Sequence, residues 1–282
     1  MKTCLVLEGG AFRALYTAGV LDKFLEENIN IDTIISVSAS SVIGINYFSK
    51  QKARIKKVIE ICSKSRKYIS MPSLIFTGNL INKKNFYYKL NTKTLPIDNE
   101  EFKKDNKTFV TVLTNVLTGK SEYYKVEDPI KDMELIRASS SLPKVSRMVK
   151  INNNLYLDGA ITDSIPIEKA LEKKYDKIVC ILTRPKNYTK KELLDKEIKQ
   201  IEKKYKKYPN FINAMINRSH MYNEELKLID KLEKEKKIFV IRPKYDLNIN
   251  ILEKDVKELE SIYDTGYKEA NKRIEELKNF LK

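Results

Sequence analysis

Thr33-Ile34-Ile35-Ser36-Val37-Ser38-Ala39-Ser40-Ser41-Val42-Ile43-Gly44-Ile45-Asn46-Tyr47-Phe48 carries an apolar strand-like run through a serine cluster into an apolar helix-like run. A small-x-Ser-x-small turn at that junction holds the Ser38 hydroxyl in a tight elbow. Such an elbow strains the nucleophile's backbone and brings the residues two positions away against its side chain. Those neighbours must be very small; glycine is usual, and here they are Ser36 and Ser40. Taken alone, a serine cluster ahead of a helix is more often just an N-cap. The flanking stretches change its weight.

Upstream, Thr3–Leu7 has the pattern of a buried strand and breaks at Gly9-Gly10-Ala11, after which Phe12, Leu15, Tyr16, Gly19 and Val20 recur at helical spacing. This helix runs to about Glu27, with Asn28 as a left-handed cap, and residues 31–37 return as the second strand. Two strands joined by one helix form a right-handed parallel unit with both carboxyl ends on one edge of the sheet. The glycine loop and Ser38 therefore open into one crevice.

Downstream, residues 51–105 show no clear strand and include Tyr68-Ile69-Ser70-Met71-Pro72-Ser73-Leu74-Ile75-Phe76. They read as helices and loops over the sheet, either a substrate-facing cap or lid or ordinary surface packing. Residues 108–114 read as a strand, 123–126 as a weaker one, and 130–138 as a helix running into Ser139-Ser140-Ser141 and Pro143. Residues 149–151 and 155–157 flank three asparagines as a hairpin whose exit carries Asp158-Gly159-Ala160. A helix over 165–172, with Pro166 in its first turn, precedes a strand at 177–183. From Lys186 the composition shifts to charged amphipathic helices over 190–208, 210–237 and 253–282, with one further strand at 238–243 between the last two.

The 282 residues are 42% hydrophobic, enough for a substantial core. The net charge of +16 suits an anionic surface, whether nucleic acid or acidic lipid, or reflects a lysine-rich compositional habit. No basic groove motif with interleaved stacking aromatics supports nucleic acid. Lys199, Lys203, Lys204, Lys206 and Lys207 are most simply a solvated helix face. Cys4, Cys62 and Cys180 lack paired spacing, and Cys4 and Cys180 fall inside apolar runs, as small buried hydrophobes of a reducing compartment do. No metal site is implied. The amino terminus reaches Gly9 too soon for a secretory h-region, and no apolar run attains the roughly 18 residues that span a bilayer. The expectation is a cytoplasmic protein that visits the inner membrane face peripherally.

A serine nucleophile needs a base and a place for the charge on the attacked oxygen, where one lost donor costs about 2.7–4 kcal/mol. Gly9-Gly10-Ala11 answers the second need, because small residues let the backbone approach a substrate and the following helix turns its amides outward. As a dinucleotide loop the segment is poor: it keeps only the first glycine of GxGxxG, and the next strand ends in Val37-Ser38 without an acidic residue for a ribose. The single histidine, His220, lies in a polar helical stretch where a solvated or capping role outweighs a place in a triad. A carboxylate acting directly on the serine remains, and Asp158, in a tight turn after a strand, is so placed. Its pKa must then rise above the usual value of about 3.9. The plain alternative is that Asp158 caps its turn.

Gly9-Gly10-Ala11-Phe12-Arg13, Ser36-Val37-Ser38-Ala39-Ser40, Ala138-Ser139-Ser140-Ser141-Leu142-Pro143 and Tyr156-Leu157-Asp158-Gly159-Ala160 with Ile165-Pro166 together resemble the patatin-like phospholipase family. Order and spacing agree over residues 3–184, and Leu182-Thr183-Arg184-Pro185 with the charged tail is similar to a bacterial branch of it. The resemblance implies an α/β three-layer sandwich with a central, largely parallel sheet. In it, residues 1–184 form the catalytic core, 51–105 a helical cap or lid, and 185–282 a charged helical extension packed on the core. It implies a lipid acyl hydrolase, a phospholipase- or lysophospholipase-like esterase with a Ser-Asp dyad. Ser38 attacks, Asp158 takes the proton, and the amides of Gly10 and Ala11, with Gly9, hold the oxyanion. Arg13 steers an anionic headgroup or braces the loop, and Gly159 supports the turn. The implied partner is a phospholipid or other acyl-ester lipid at an anionic membrane, with no cofactor and no nucleic acid, and the oligomeric state is open. The family has glycine where Ser36 and Ser40 stand, so the alternative is a weak or inactive relative that binds lipid or regulates.

Overall fold

The computed structural model describes residues 1–104, 107–250 and 252–282. Residue 105, the last of the segment read as a cap, lies outside the described residues. The chain opens with β1 (Thr3–Leu7), a 3-10 turn (Ala11–Ala14), α1 (Leu15–Glu26), β2 (Thr33–Val37) and α2 (Ala39–Phe48). Both strands are apolar without alternation because helices cover both of their faces. Asn28 takes the left-handed conformation that ends α1, with φ 54°. The next segment holds α3 (Arg54–Ser63), α4 (Met71–Thr77), a π-helical stretch (Lys83–Thr94) and α5 (Asn99–Lys104).

Next come β3 (Thr108–Asn115), β4 (Lys120–Val126), α6 (Met133–Ser139), β5 (Val149–Ile151) and β6 (Asn154–Asp158). The chain continues through α7 (Ile167–Glu172), β7 (Lys177–Ile181), α8 (Asp195–Tyr205), α9 (Pro209–Lys234), β8 (Ile238–Ile241) and α10 (Val256–Phe280). α6, α7, α8 and α10 start two to five residues later than the sequence suggests, and ahead of the first two side chains take the amides concerned. Asp128 accepts from the Ile130 and Lys131 amides ahead of α6, and Glu225 from those of Ser164 and Ile165 ahead of α7. On α8, Lys199, Lys203 and Lys204 are exposed, as are Lys206 and Lys207 just beyond it, while Ile201 and Tyr205 are buried.

The described strands form one mixed sheet in the order β5-β6-β3-β2-β1-β7-β8, with β4 also on β3. β3, β2, β1, β7 and β8 are mutually parallel. β4, β5 and β6 add an antiparallel wing to the largely parallel sheet. One face of the sheet, through Leu5, Leu7, Ile34 and Val179, packs on α1, α2, α3 and α10. The other, through Cys4, Val6, Ile35 and Cys180, packs on α7 and α9. This is the expected three-layer α/β arrangement. No described helix is long and apolar enough to cross a membrane.

α10 rests on α1 backbone to backbone. A β-carbon on Gly19 would stand 2.0 Å from the Tyr263 carbonyl oxygen, and one on Gly266 the same 2.0 Å from that of Tyr16. Two hydroxyl bonds pin the crossing, Tyr16 to Glu269 at 2.7 Å and Tyr263 to Asp22 at 2.5 Å. Gly19→Ala gains at most about 1 kcal/mol of helix propensity but forces the helices apart, an overpacking cost of about 1–3 kcal/mol or more. The variant is expected to melt several degrees below the parent in a thermal scan. An equal or higher melting temperature would contradict this packing.

Candidate active site

β3 has two edges. β4 occupies one, pairing along residues 109–115. On the other, residues 108–112 pair with β2 and residues 113–115 with β6. β2 runs parallel to β3 and β6 antiparallel, so the two strands approach each other end to end along that single edge. Val37 lies opposite Val112, and Asp158 opposite Leu113, the next residue. Ser38 follows Val37, and its Oγ donates to Asp158 Oδ2 at 2.7 Å. Sheet register thus joins two residues 120 positions apart. Gly159 permits the junction, since a β-carbon there would sit 2.1 Å from the Val112 carbonyl oxygen.

Ser38 has φ 59° and ψ −132°, and Ala11 in the glycine loop has φ 48°. Such conformations cost roughly 1–3 kcal/mol each in non-glycine residues and cluster where function requires them. Ser38 occupies the N-cap position of α2, but its side chain makes no cap bond to that helix. Its amide donates to Ser139 Oγ at 2.9 Å, and α2 begins at the next residue with the positive end of its dipole toward the hydroxyl. Gly9 gives clearance: a β-carbon there would be 3.0 Å from Ser38 Cβ.

The two serines in the usual glycine positions are buried and satisfied. Ser40 Oγ donates to the Glu8 carbonyl at 2.6 Å. Ser36 Oγ lies 3.1 Å from the Val110 carbonyl and 3.0 Å from Ser41 Oγ, which in turn is 2.8 Å from Thr111 Oγ1. Their hydroxyls thus tie β1, β2, α2 and β3 together behind the nucleophile, and buried hydroxyls so bonded carry little desolvation cost.

Asp158 is fully buried. Its Oδ1 accepts from the Ala160 amide at 2.9 Å, so it caps its turn with one oxygen while holding Ser38 with the other. Thr114 Oγ1 donates to its main-chain carbonyl at 2.8 Å. Burial pushes its carboxyl above the ordinary aspartate range, against the Ser38 hydroxyl, the Arg218 charge and the Ala160 amide, which favour the ionised form. Arg218 comes from α9 and donates from Nε to the Ala160 carbonyl at 2.6 Å. Sequence reasoning passed over it for His220, which is exposed on the same helix. The faint signal was its spacing with Tyr222 and Glu225, at i, i+4 and i+7: Tyr222 reaches Glu8 at 2.7 Å, and Glu225 takes the Ser164 and Ile165 amides.

In the glycine loop the Gly9 amide donates to the Ser164 carbonyl at 3.3 Å, so Gly9 contributes space rather than a donor. Among the described residues the amides of Gly10 and Ala11 make no protein hydrogen bond. Arg13 Nε and Thr183 Oγ1 are also buried without a partner there. Burial pulls Arg13 below its ordinary pKa, with Arg184 adding to the effect. It pulls Lys190 down to about 8, helped by Arg218 and Arg13. Arg13, Arg184, Lys190 and Arg218 thus gather behind the loop, with the buried Glu8 carboxylate among them.

Beside Ser38 an apolar cavity of about 150 Å³ extends from Ala11 between Ile43, Ile59, Ile69 and Leu80. That is about the volume that admits one benzene, room for a short length of alkyl chain. A hydroxyl on a buried carboxylate, two unengaged amides and an apolar slot are the components of acyl transfer.

A family model described as patatin-like phospholipase matches residues 5–171, and one described as a domain of unknown function, DUF6363, matches residues 208–282. The uncharacterized protein YjjU of Escherichia coli (strain K12) is 28% identical over 191 residues, 65% of this chain and 52% of its own length. The chain thus spans about half the length of that relative. The probable lipid hydrolase 463L of Invertebrate iridescent virus 6 is 25% identical over 244 residues, 79% of this chain and 80% of its own. The crystal structure of VipD from Legionella pneumophila superposes with a TM-score of 0.49 at 12% identity, covering 98% of this chain and 67% of that one.

Proposed function

The chain belongs to the patatin-like phospholipase family, and from that premise we propose that it hydrolyses lipid acyl esters through a Ser38–Asp158 dyad. The observation that carries the reading is the 2.7 Å bond between the two side chains beside the unengaged Gly10 and Ala11 amides. Ser38 Oγ bonds to the ester carbonyl carbon while its proton passes to Asp158 Oδ2. The negative charge on the carbonyl oxygen falls to the amides of Gly10 and Ala11. Collapse breaks the ester C–O bond, and the departing alcohol takes the proton from Asp158. Water then attacks the acyl-serine with Asp158 again as base, releasing the fatty acid and restoring the hydroxyl. Arg13, Lys190 and Arg218 favour an anionic substrate through their field.

Purified protein given p-nitrophenyl esters of increasing chain length tests this. The expected result is turnover, with kcat/KM rising up to roughly fourfold per methylene, as burial of about 0.8 kcal/mol each allows, and levelling near the hexanoyl ester that the cavity admits. A protein that only binds lipid turns over none of them.

A further inference from the structure

α4 is inside out. Its one buried residue is polar: the Ser73 amide donates to Ser70 Oγ at 3.2 Å, and Asn82 Nδ2 reaches the Ser73 hydroxyl at 3.4 Å, with Leu74 half-buried beside it. Thr77 Oγ1 turns back onto the Ser73 carbonyl at 2.6 Å. Its outward residues are apolar, with Met71 48%, Ile75 73% and Phe76 84% exposed. A helix folded against water does the opposite, and large exposed apolar side chains gathered at one tip mark an interaction surface.

The helix forms the tip of a hairpin-like loop. At its base Asn82 donates its amide to the Tyr68 carbonyl at 2.8 Å, Ser70 donates to Leu80 at 3.1 Å, and Ile69 bridges Ile81. Ile69, Leu80 and Ile81 line the cavity that leads to Ser38, so the exposed tip and the apolar slot belong to one element. Along the sequence the charge in this segment has one sign. Between Glu60 and Asp98 the sequence has seven basic residues and no acidic one. Lys67 precedes the base of the loop, Lys83 and Lys84 follow it, and all three are exposed. Exposed Arg147 lies against Gly78, where the helix ends, and Lys83 also reaches Glu134 at 3.0 Å.

We propose that the loop 68–82 is the membrane-docking element of this protein, inserting Ile75 and Phe76 into an anionic bilayer while the surrounding lysines and arginines meet its headgroups. An apolar tip ringed by cations fits this partner: basic groups near an anionic leaflet attract it, and the apolar residues reach the acyl boundary. Docking there sets the base of the same loop, and with it the cavity, at the bilayer surface. The claim goes beyond the acyl-transfer reading and does not need it.

The test is co-sedimentation with phosphatidylcholine vesicles with and without phosphatidylglycerol, using the parent, Ser38→Ala, Ile75→Ser/Phe76→Ser and Lys67→Glu/Arg147→Glu. The parent and Ser38→Ala should bind the anionic vesicles equally, and added salt should weaken both. Each double variant should bind about tenfold or more weakly, with thermal melting unchanged because the replaced side chains are exposed. Turnover of a soluble ester, if the protein has it, should persist in Ile75→Ser/Phe76→Ser. Binding of that variant equal to the parent's, or no binding by the parent, overturns the proposal. So does a change of oligomeric state in that variant with vesicle binding intact, which assigns the face to a second copy of the chain.

Discussion

Ser38→Ala is expected to lower ester hydrolysis by at least about 10⁴-fold while leaving the fold and the apolar cavity in place, as removal of a serine nucleophile does elsewhere. The loss falls on kcat, because what disappears is the atom that forms the acyl bond, whereas the Gly10 and Ala11 amides and the cavity still accept substrate. It also removes the hydroxyl that accompanies the Asp158 charge. The buried carboxyl then retains only the Ala160 amide and the Arg218 field, and its pKa climbs further. Hydrolysis measured in parent and variant at matched concentration checks the effect. Residual activity within tenfold of the parent would place the chemistry elsewhere.

Asp158→Asn is expected to lower kcat/KM by about 10²–10⁴-fold, the range a positioned base supplies, and to make the protein more stable at neutral pH. An asparagine keeps the bond from the Ala160 amide and can donate to Ser38 Oγ, but it cannot take the proton. The stability gain follows from the direction of the shift. Burial makes the folded carboxyl hold its proton more tightly than the unfolded chain does. Below the ordinary aspartate value of about 3.9 nothing is lost. As pH rises from there through the raised folded pKa, ionisation lowers stability. The variant should therefore melt above the parent at neutral pH and converge with it in acid. For the same reason the acid limb of the parent's kcat/KM profile should lie above the usual carboxylate range. A variant that melts below the parent at neutral pH would mean that the Asp158 charge stabilises the fold.

Much of the architecture was legible because it is local. The run from Thr3 to Phe48 shows strand, loop, helix, strand and elbow through apolar periodicity and glycine placement, and these elements fall within a few residues of expectation. The hairpin carrying Asp158 was legible from its asparagine turn and flanking apolar residues. What brings Asp158 to Ser38 was not: two strands share one edge of β3 from opposite directions, a register set by pairing across the sheet. Arg218 escaped because a helix rich in lysine, glutamate and asparagine gives one polar stripe no contrast against the rest. Ser36 and Ser40 suggested crowding by comparison with glycine; their hydroxyls instead bond Val110, Ser41 and Glu8, partners remote in sequence except Ser41. The exposed apolar face of α4 could not be separated from surface packing, because apolar residues at helical spacing look alike whether they face a core or a membrane.

A fluorophosphonate probe tests the central claim most directly, since it bonds to an activated serine and mimics the charge that Gly10 and Ala11 would hold. After labelling, digestion and mass-spectrometric mapping, the phosphonyl group is expected on Ser38 alone in the parent, greatly reduced in Asp158→Asn and absent in Ser38→Ala. Labelling at another serine, or equal labelling of Ser38 with and without the Asp158 carboxylate, would contradict the dyad.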